Sequence, residues 1–349
     1  MGRKSGTVSA VGTGTPKQVR TGNDMTTGVL LGPQRHAITV TDEIARLGIE
    51  GRIATVTAGW QEREAEDDEL QDALGHRAVN LRLHQRCDEV FARDPGLFDA
   101  HRARQDKLRQ LQDLYRVRLD HAKAAARELA MREGPEELIG PEREAAIAAL
   151  RQLDSHHLAR IRAIHAAFEA EVNPAERPAL AAHRRQIFEI IDGCDAIAVA
   201  GGHVSTLLNR LRLLGVMAHV GERTVIAWSA GAMVLADRVV LFHDRPPEGP
   251  GNAELLDEGL GLFPGVVALP HATRRLRLDD PIRMSLFAQR FSPAVCIALD
   301  PRSRAAWDGS RWTADEGTLR VGLDGHLVAL KLRPKGRAAT GDSLRPITG

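Results

Sequence analysis

The sequence predicts an α/β fold, a three-layer sandwich with a mostly parallel sheet that is interrupted by a long helical-hairpin insertion. Short runs rich in Val, Ile and Ala end in Gly or Pro, which is typical of strands buried on both faces. Amphipathic helical patterns separate several of these runs, as in a parallel sheet covered by helices on both sides. A third observation is a long stretch, residues 62–191, that contains only helical patterning.

The strands and their connecting helices can be assigned in chain order. The predicted strands lie in residues 28–32, 52–59, 196–202, 224–231, 265–270 and 295–300. Helical patterns follow two of them, at residues 41–48 and 205–215. Each connection is long enough to cross over the sheet, so neighbouring strands are expected to run parallel.

The insertion is predicted to be a helical hairpin that packs against itself. Apolar side chains recur every three or four positions from Leu108 to Leu129, which places them on one face of a helix. A second helix follows the Gly- and Pro-containing break at residues 132–141, and a third is expected over residues 178–191. We expect no strand within residues 62–191.

The chain is divided into a leader, one α/β domain in two parts, the helical insertion over residues 62–191 and a tail. Residues 1–27 and 333–349 lack periodicity and are predicted to be a disordered leader and a disordered tail. Residues 28–61 and 192–332 are predicted to form one α/β domain around the insertion.

Composition excludes several classes of protein. A net charge of +1 and an aromatic content of 4% disfavour a dedicated nucleic-acid binder or a polybasic membrane protein. There is no signal-peptide pattern and no apolar run near the roughly 20 residues that span a bilayer, so we expect a cytoplasmic protein. Cys87, Cys194 and Cys296 lie far apart, which disfavours a disulfide framework and a zinc site. The histidines of the insertion are interpreted as helix surface, and we expect no metal and no cofactor.

The strongest chemical signal is Ser229 in the segment Ala-Trp-Ser-Ala-Gly. A predicted strand runs into it and a helix runs out, which is the context of a nucleophile elbow. Small neighbours allow the two backbones to approach closely, and the Ala230 N–H at the helix start could stabilise an oxyanion. The alternative interpretation is a serine that only caps the helix.

Two further segments follow predicted strands. Gly201 and Gly202 precede His203, and paired glycines at a strand end can supply a second oxyanion donor. His271 follows another strand and is expected at the same edge as Ser229, where it could act as a general base.

Charged and aromatic residues near these strand ends are candidates for substrate binding. Arg275 and Arg277, together with Arg274, could hold a substrate carboxylate, although a solvated helix start is the alternative. Trp60 precedes the insertion at the carboxyl end of a strand, so we expect it to border the pocket. The insertion could cap this pocket or serve as an arm for homo-oligomerisation, and both alternatives stay open.

Taken together, four segments resemble the serine peptidase family of aspartyl dipeptidase and cyanophycinase. They are AGGHVSTLLNRL, AWSAGAMVLADRVVLFHD, LPHATRRLRL and CIALDPRSRAAWDG, in the family's order. The resemblance covers about residues 28–61 and 192–320 and implies a fold similar to class I glutamine amidotransferases. A true amidotransferase would need Cys at the elbow, where this chain has Ser229.

The resemblance implies a role for each matching residue. Ser229 would be the nucleophile, His271 the base, and the amides of Gly202 and Ala230 the oxyanion hole. The family's acid stands in an Asp-Glu pair that here reads Asp300-Pro301.

Asp300 or Asp244 could therefore complete the triad, and His203 replaces the family's Asn. The implied substrates are small peptides or isopeptides, with aspartyl peptides as the family's example. The alternative is a catalytically degenerate relative that binds a ligand or partner through its pocket and insertion. A generic α/β-hydrolase esterase with Asp244 as its acid is a more distant alternative.

Overall fold

The computed structural model describes residues 27–244 and 251–330. The predicted leader and tail lie outside the described residues, apart from Thr27.

The described chain contains thirteen strands and ten α-helices. The strands are β1 Gly28–Leu31, β2 Ile53–Val56, β3 Ala78–Asn80, β4 Ala196–Val199, β5 Thr224–Trp228, β6 Arg238–Leu241, β7 Glu254–Glu258, β8 Val266–Pro270, β9 Val295–Leu299, β10 Arg304–Trp307, β11 Trp312–Ala314, β12 Leu319–Val321 and β13 Leu327–Ala329. The helices are α1 Val40–Arg46, α2 Asp68–Ala73, α3 Leu83–Arg93, α4 Pro95–Met131, α5 Glu136–Val172, α6 Pro178–Asp192, α7 Val204–Leu213, α8 Ala230–Leu235, α9 Ala272–Arg275 and α10 Pro281–Phe291.

The main sheet has the order β11-β10-β1-β5-β4-β2-β3. The strands from β1 to β3 in this order pair in parallel, whereas β10 and β11 are antiparallel. Successive residues of β4 face opposite sides: Ile197 joins the large core on one face, and Ala198 joins the smaller core beside α1 and α2 on the other. Both faces are covered, which explains the continuous apolar runs. All six predicted strands are present, and the predicted α/β fold class is confirmed.

One expectation about the sheet is wrong. β8 and β9 do not join the main sheet; they belong to a second sheet with the order β13-β12-β9-β8. The place beside β1 is taken by β10, which pairs with β1 in antiparallel orientation. The two sheets still meet at their carboxyl ends, because a Cβ added to Gly32, just after β1, would lie 2.0 Å from the carbonyl oxygen of Asp300, just after β9.

The expectation that residues 62–191 contain no strand is also wrong. β3 lies within this range and pairs in parallel with β2 at the edge of the main sheet. It has only three residues, all half-buried, so it leaves no apolar run in the sequence. α3 follows it and packs against α6 and α7.

The long hairpin formed by α4 and α5 packs against itself, as predicted, and also against the α/β part. Asp154 of α5 pairs with the buried Arg290 of α10 at 2.7 Å. Tyr115 of α4 donates to Asp154 at 2.8 Å and accepts from Arg290 at 2.6 Å. These buried contacts join both helices of the hairpin to α10. Its proposed use as a cap or as an oligomerisation arm stays a prediction.

Candidate active site

Ser229 occupies the turn between β5 and α8 in a strained backbone conformation. Its φ is 51° and its ψ is −124°, and its side chain makes no capping hydrogen bond to α8. An ordinary capping serine has extended dihedral angles and accepts a hydrogen bond from the first turn of its helix. A non-glycine residue in this region costs of order 1–3 kcal/mol and persists mainly at functional sites. The capping interpretation therefore does not describe Ser229, and the nucleophile elbow stays a prediction.

Glycines make the close approach to Ser229 possible. A Cβ added to Gly201 would lie 2.7 Å from the Ser229 Cβ, and one added to Gly231 would lie 2.2 Å from the Val199 carbonyl oxygen. Both distances are shorter than Cβ contacts allow, so a side chain at either glycine would displace the elbow. The loop after β4 and the start of α8 are thus held in direct contact.

Two backbone amides are candidates for an oxyanion hole. Ala230 is the first residue of α8, and amides of a first helical turn have no acceptor within the helix. Gly202 has a φ of 118°, and within the described residues its N–H donates to no acceptor. The adjacent Gly201 packs against Ala230: a Cβ added to Gly201 would lie 3.5 Å from the Ala230 backbone nitrogen. Both amides therefore lie in the segments that surround Ser229.

His203 begins α7 and its ring acts as a helix cap. Its Nδ1 accepts from the Thr206 backbone N–H at 3.2 Å and lies 2.9 Å from the Thr206 hydroxyl. An N-cap asparagine accepts the same kind of bond through its side-chain oxygen, so histidine can replace it here. The predicted role of His203 in substrate binding stays a prediction.

The turn after β2 supports the glycine loop from the other side. A Cβ added to Gly59 would lie 2.5 Å from the Gly201 carbonyl oxygen. Trp60 is half-buried and packs against the smaller core, beside the predicted pocket edge. Gln61 is strained like the elbow serine, with a φ of 59° and a ψ of −126°, and its amide donates to Thr206 at 3.2 Å. The sequence contains no sign of this backbone conformation, because a glutamine rarely adopts a positive φ.

The ends of three strands bring His271 to the side of the molecule where Ser229 lies. Gly32 follows β1 as Ser229 follows β5, and these two strands pair in parallel. A Cβ added to Gly32 would lie 2.0 Å from the Asp300 carbonyl oxygen, just after β9. β9 pairs in parallel with β8, which ends one residue before His271. His271 was expected at the edge of the main sheet; instead it stands at the matching end of the second sheet.

The surroundings of His271 favour the uncharged form of its ring. Burial lowers the pKa of His271, and the nearby Arg275 and Arg274 lower it further, while Asp300 acts in the opposite direction. Its backbone is left-handed, with a φ of 58°, and its N–H donates to the Leu299 carbonyl at 3.1 Å. A neutral imidazole near pH 7 can accept a proton from a serine hydroxyl.

The two candidate acids are hydrogen-bonded to other groups. Asp300 accepts from the Thr273 N–H at 3.1 Å and from the Thr273 hydroxyl at 2.9 Å. Asp244 is buried and pairs with Arg283, whose Nε lies 3.0 Å away. Within residues 27–244 and 251–330, neither carboxylate bonds to the His271 ring. No hydrogen bond joins the Ser229 hydroxyl to the His271 ring within the described residues either, so neither link of a triad is formed.

The arginines after His271 differ in their surroundings. Arg275 is half-buried, and burial together with Arg274 lowers its pKa. In the described part of the chain its guanidinium has no hydrogen bond or ion pair. Arg277 is exposed, and its backbone N–H donates to Asp244 at 3.0 Å. Arg275 is thus the better placed of the two to meet a carboxylate beside His271.

Other chemical groups of the described chain do not form a second site of known type. Cys87 and Cys296 are buried, and burial raises the pKa of each thiol to about 12. Among the described residues no group of three or more His, Cys, Asp or Glu side chains is arranged to hold a metal ion. No helix in the described ranges combines the length and apolar character needed to cross a membrane.

The fold is of the α/β class, and comparison with known protein families relates the chain to peptidases over part of its length. Residues 147–297 match the model of peptidase family S51. The sequence resemblance to the serine peptidase family is thereby confirmed over this range. The match begins within α5, so it includes part of the predicted insertion; it contains Ser229 and His271 and ends before Asp300.

Solved structures to which this chain is similar include a peptidase from an acI-B1 actinobacterium. It is 13% identical, with a TM-score of 0.43 over 86% of this chain and 91% of that chain. A candidate peptidase E protein from Listeria monocytogenes EGD-e is 10% identical, with a TM-score of 0.41 over 83% of this chain and 98% of that chain. No curated protein matches the sequence.

Proposed function

We propose that this protein is a serine peptidase that cleaves short peptides or isopeptides through an acyl-enzyme. The conformation of Ser229 is the observation that carries the proposal. A serine in this conformation at the end of a parallel strand, without a capping bond, costs stability, and such conformations cluster at active sites. The match to peptidase family S51 over residues 147–297 supports the same reaction class.

The reaction follows from the roles of four groups. Ser229 Oγ attacks the scissile carbonyl carbon while His271 accepts the hydroxyl proton. The carbonyl oxygen becomes an oxyanion that the Gly202 and Ala230 N–H groups stabilise. His271 then donates its proton to the leaving amine, and the C–N bond breaks. Water attacks the resulting ester with His271 again as base, which releases the acid and restores Ser229.

The substrate contacts proposed here are electrostatic. Arg275 has no carboxylate partner within the described residues, and it lies close enough to His271 to lower the pKa of that ring. A substrate carboxylate would pair with it through a charge-assisted hydrogen bond. Arg277 is a second candidate from the same segment. Acidic, aspartyl-type peptides are therefore the first substrates to try.

A second candidate function is ligand binding without turnover. The hydrogen bonds of Asp300 to Thr273 and of Asp244 to Arg283 favour it, because a histidine without an orienting acid is a weak base. In serine proteases the loss of the acid costs about 10⁴ in rate. In this alternative the pocket would hold a peptide-like ligand, and the hairpin would bind a partner.

Labelling by a fluorophosphonate probe distinguishes the two functions. We expect the purified protein to be labelled at Ser229, with loss of labelling in Ser229→Ala and at least a tenfold slower reaction in His271→Ala. The exposed Ser155→Ala on α5 is the matched control and should label like the parent. Mass spectrometry identifies the modified residue. An unlabelled, folded parent protein would contradict the peptidase proposal and favour the binding protein.

A further inference from the structure

A cavity of about 330 Å³ lies between α3, α4 and α7. None of its lining residues belongs to the candidate active site. Phe91 comes from α3, Phe98 and His101 from the first turns of α4, and Arg210 from α7. Three helices thus enclose a second concave site on the helical layer.

Two buried side chains in this cavity have polar atoms without a partner. His101 is 8% exposed, and its Nε2 makes no hydrogen bond within the described residues. The Arg210 side chain is 13% exposed, and its Nε is likewise unpartnered in the described chain. Its contact with Asp88 is 3.6 Å long, beyond hydrogen-bond length, and reaches a carboxylate that is mostly in solvent. Buried donors without acceptors are uncommon and call for an explanation.

Positive charge next to the cavity is stronger than its lining suggests. Arg104, one turn from His101, is buried with its Nε and Nη2 unpartnered among the described residues, and its guanidinium lies 3.9 Å from the Phe168 ring centre. Arg104 and Arg210 both act on His101, and together with burial they lower the pKa of His101 to about 3. The ring is therefore neutral, and the charge surplus belongs to the guanidinium groups. The cavity itself is lined by Arg102, Arg109 and Arg210 and by the carboxylates of Asp88 and Asp106, so its guanidinium groups outnumber its carboxylates by one.

The remaining lining is apolar. Phe91 and Phe98 meet edge to face with ring centres 5.6 Å apart, and Phe98 is 41% exposed. The exposed ring of Phe98, next to buried hydrogen-bond donors, provides a surface on which an apolar group can pack.

We propose that this cavity binds a small organic carboxylate that carries an aromatic or similarly bulky apolar group. The carboxylate accepts hydrogen bonds from Arg210 and His101, and the apolar group packs against Phe98. This site is separate from the peptidase chemistry, so it stands whether or not Ser229 is active.

Titration with phenylacetate, followed by calorimetry, tests the site. We expect saturable binding of phenylacetate that weakens at least tenfold in Arg210→Gln and at least threefold in Phe98→Ala. Phenylacetamide should not bind in this way, because it lacks the negative charge. Arg118→Gln is the matched control, because Arg118 is an exposed residue of α4 that does not line the cavity; it should change binding less than threefold. Thermal melting of each variant shows whether it is folded. If Arg210→Gln does not fold, the affinity of Phe98→Ala still tests the proposal.

Arg275→Gln separates this cavity from the active site. Unchanged phenylacetate binding in this variant supports the proposal, and its loss would assign the carboxylate to the peptidase site instead. The absence of saturable binding to the parent protein would overturn the proposal. So would full binding by both Phe98→Ala and a folded Arg210→Gln.

Discussion

Ser229 and His271 both have positive φ angles, of 51° and 58°, and each stands between the end of a strand and the start of a helix. At Ser229 the backbone rises sharply, so the side chain projects from the end of β5 and is not drawn into the helix. At His271 the turn begins a helix that contains Thr273 and Arg275. The two residues are therefore placed by backbone geometry, whereas the pKa of His271 depends on its burial and on the charges of the following turn.

The charges around His271 predict a distinctive pH dependence of labelling. His271 must be neutral to act as a base, so the rate falls as acid protonates it. Burial, Arg275 and Arg274 lower its pKa, so we expect the midpoint below the ordinary histidine value of about 6.5. Arg275→Gln should raise the midpoint toward that value, and Asp300→Asn should lower it further.

The measurement is the rate of fluorophosphonate labelling between about pH 4.5 and 8. Arg160→Gln, an exposed substitution on α5, is the charge-matched control and should leave the midpoint in place. A midpoint above 6.5 in the parent would contradict the electrostatic account. An equal shift in Arg160→Gln and Arg275→Gln would show that only net charge matters.

At the scale of elements, strand burial explains what the sequence could predict. The six strands with at least four residues and mostly buried side chains all produce visible apolar runs. β3, β11, β12 and β13 have three residues each and are largely half-buried, so they leave no run. The pattern also does not encode which sheet a strand joins, which is why β8 and β9 were assigned to the wrong one.

In the candidate active site, too, features set by the local sequence could be predicted, whereas features set by distant residues could not. Ser229, Gly201 and Gly202 could be found because each follows a strand within a few residues. The orientation of Asp300 and Asp244 could not, because it depends on bonds to Thr273 and to Arg283 far along the chain. Side-chain contacts between distant elements cannot be inferred from the local pattern of apolar and polar residues.

The docking of the hairpin predicts a large cost for breaking one buried ion pair. Asp154→Asn leaves the Arg290 guanidinium charged and buried without its carboxylate, and such a loss typically costs about 3–5 kcal/mol. The paired change Asp154→Leu with Arg290→Met removes both charges, and we expect it to cost less than Asp154→Leu and Arg290→Met added together. Urea unfolding at pH 7 measures these free energies.

An exposed ion pair on the same hairpin provides the control. Arg132 and Glu128 lie 3.0 Å apart with both side chains mostly in solvent, so Glu128→Gln should cost at most about 1 kcal/mol. If Asp154→Asn costs no more than this control, the hairpin is held by its apolar contacts alone. Additive effects of the two buried substitutions would mean that Asp154 and Arg290 do not act as a pair.

At the scale of the whole molecule, buried neutral histidines couple folding to pH. Burial lowers the pKa of His157 to about 4 and that of His101 to about 3. An unfolded chain protonates both near the ordinary value of about 6.5, so it binds more protons than the folded protein below that pH. Stability is therefore complete above pH 6.5 and falls as the pH drops toward 4.

Neighbouring histidines on α5 allow this coupling to be measured. Each buried histidine contributes a slope of about 1.4 kcal/mol per pH unit between roughly pH 6 and the folded pKa. His157→Gln should lower stability at pH 7.5, because His157 Nε2 bonds to Gln112 at 2.9 Å, yet it should lose less stability than the parent between pH 7.5 and 5. The exposed His156→Gln, one residue away, should follow the parent at both pH values. Urea unfolding at the two pH values gives the pH dependence of the free energy of unfolding for the parent and both variants. An equal pH dependence in His157→Gln and the parent would mean that acid acts on the carboxylates and not on the buried histidine rings.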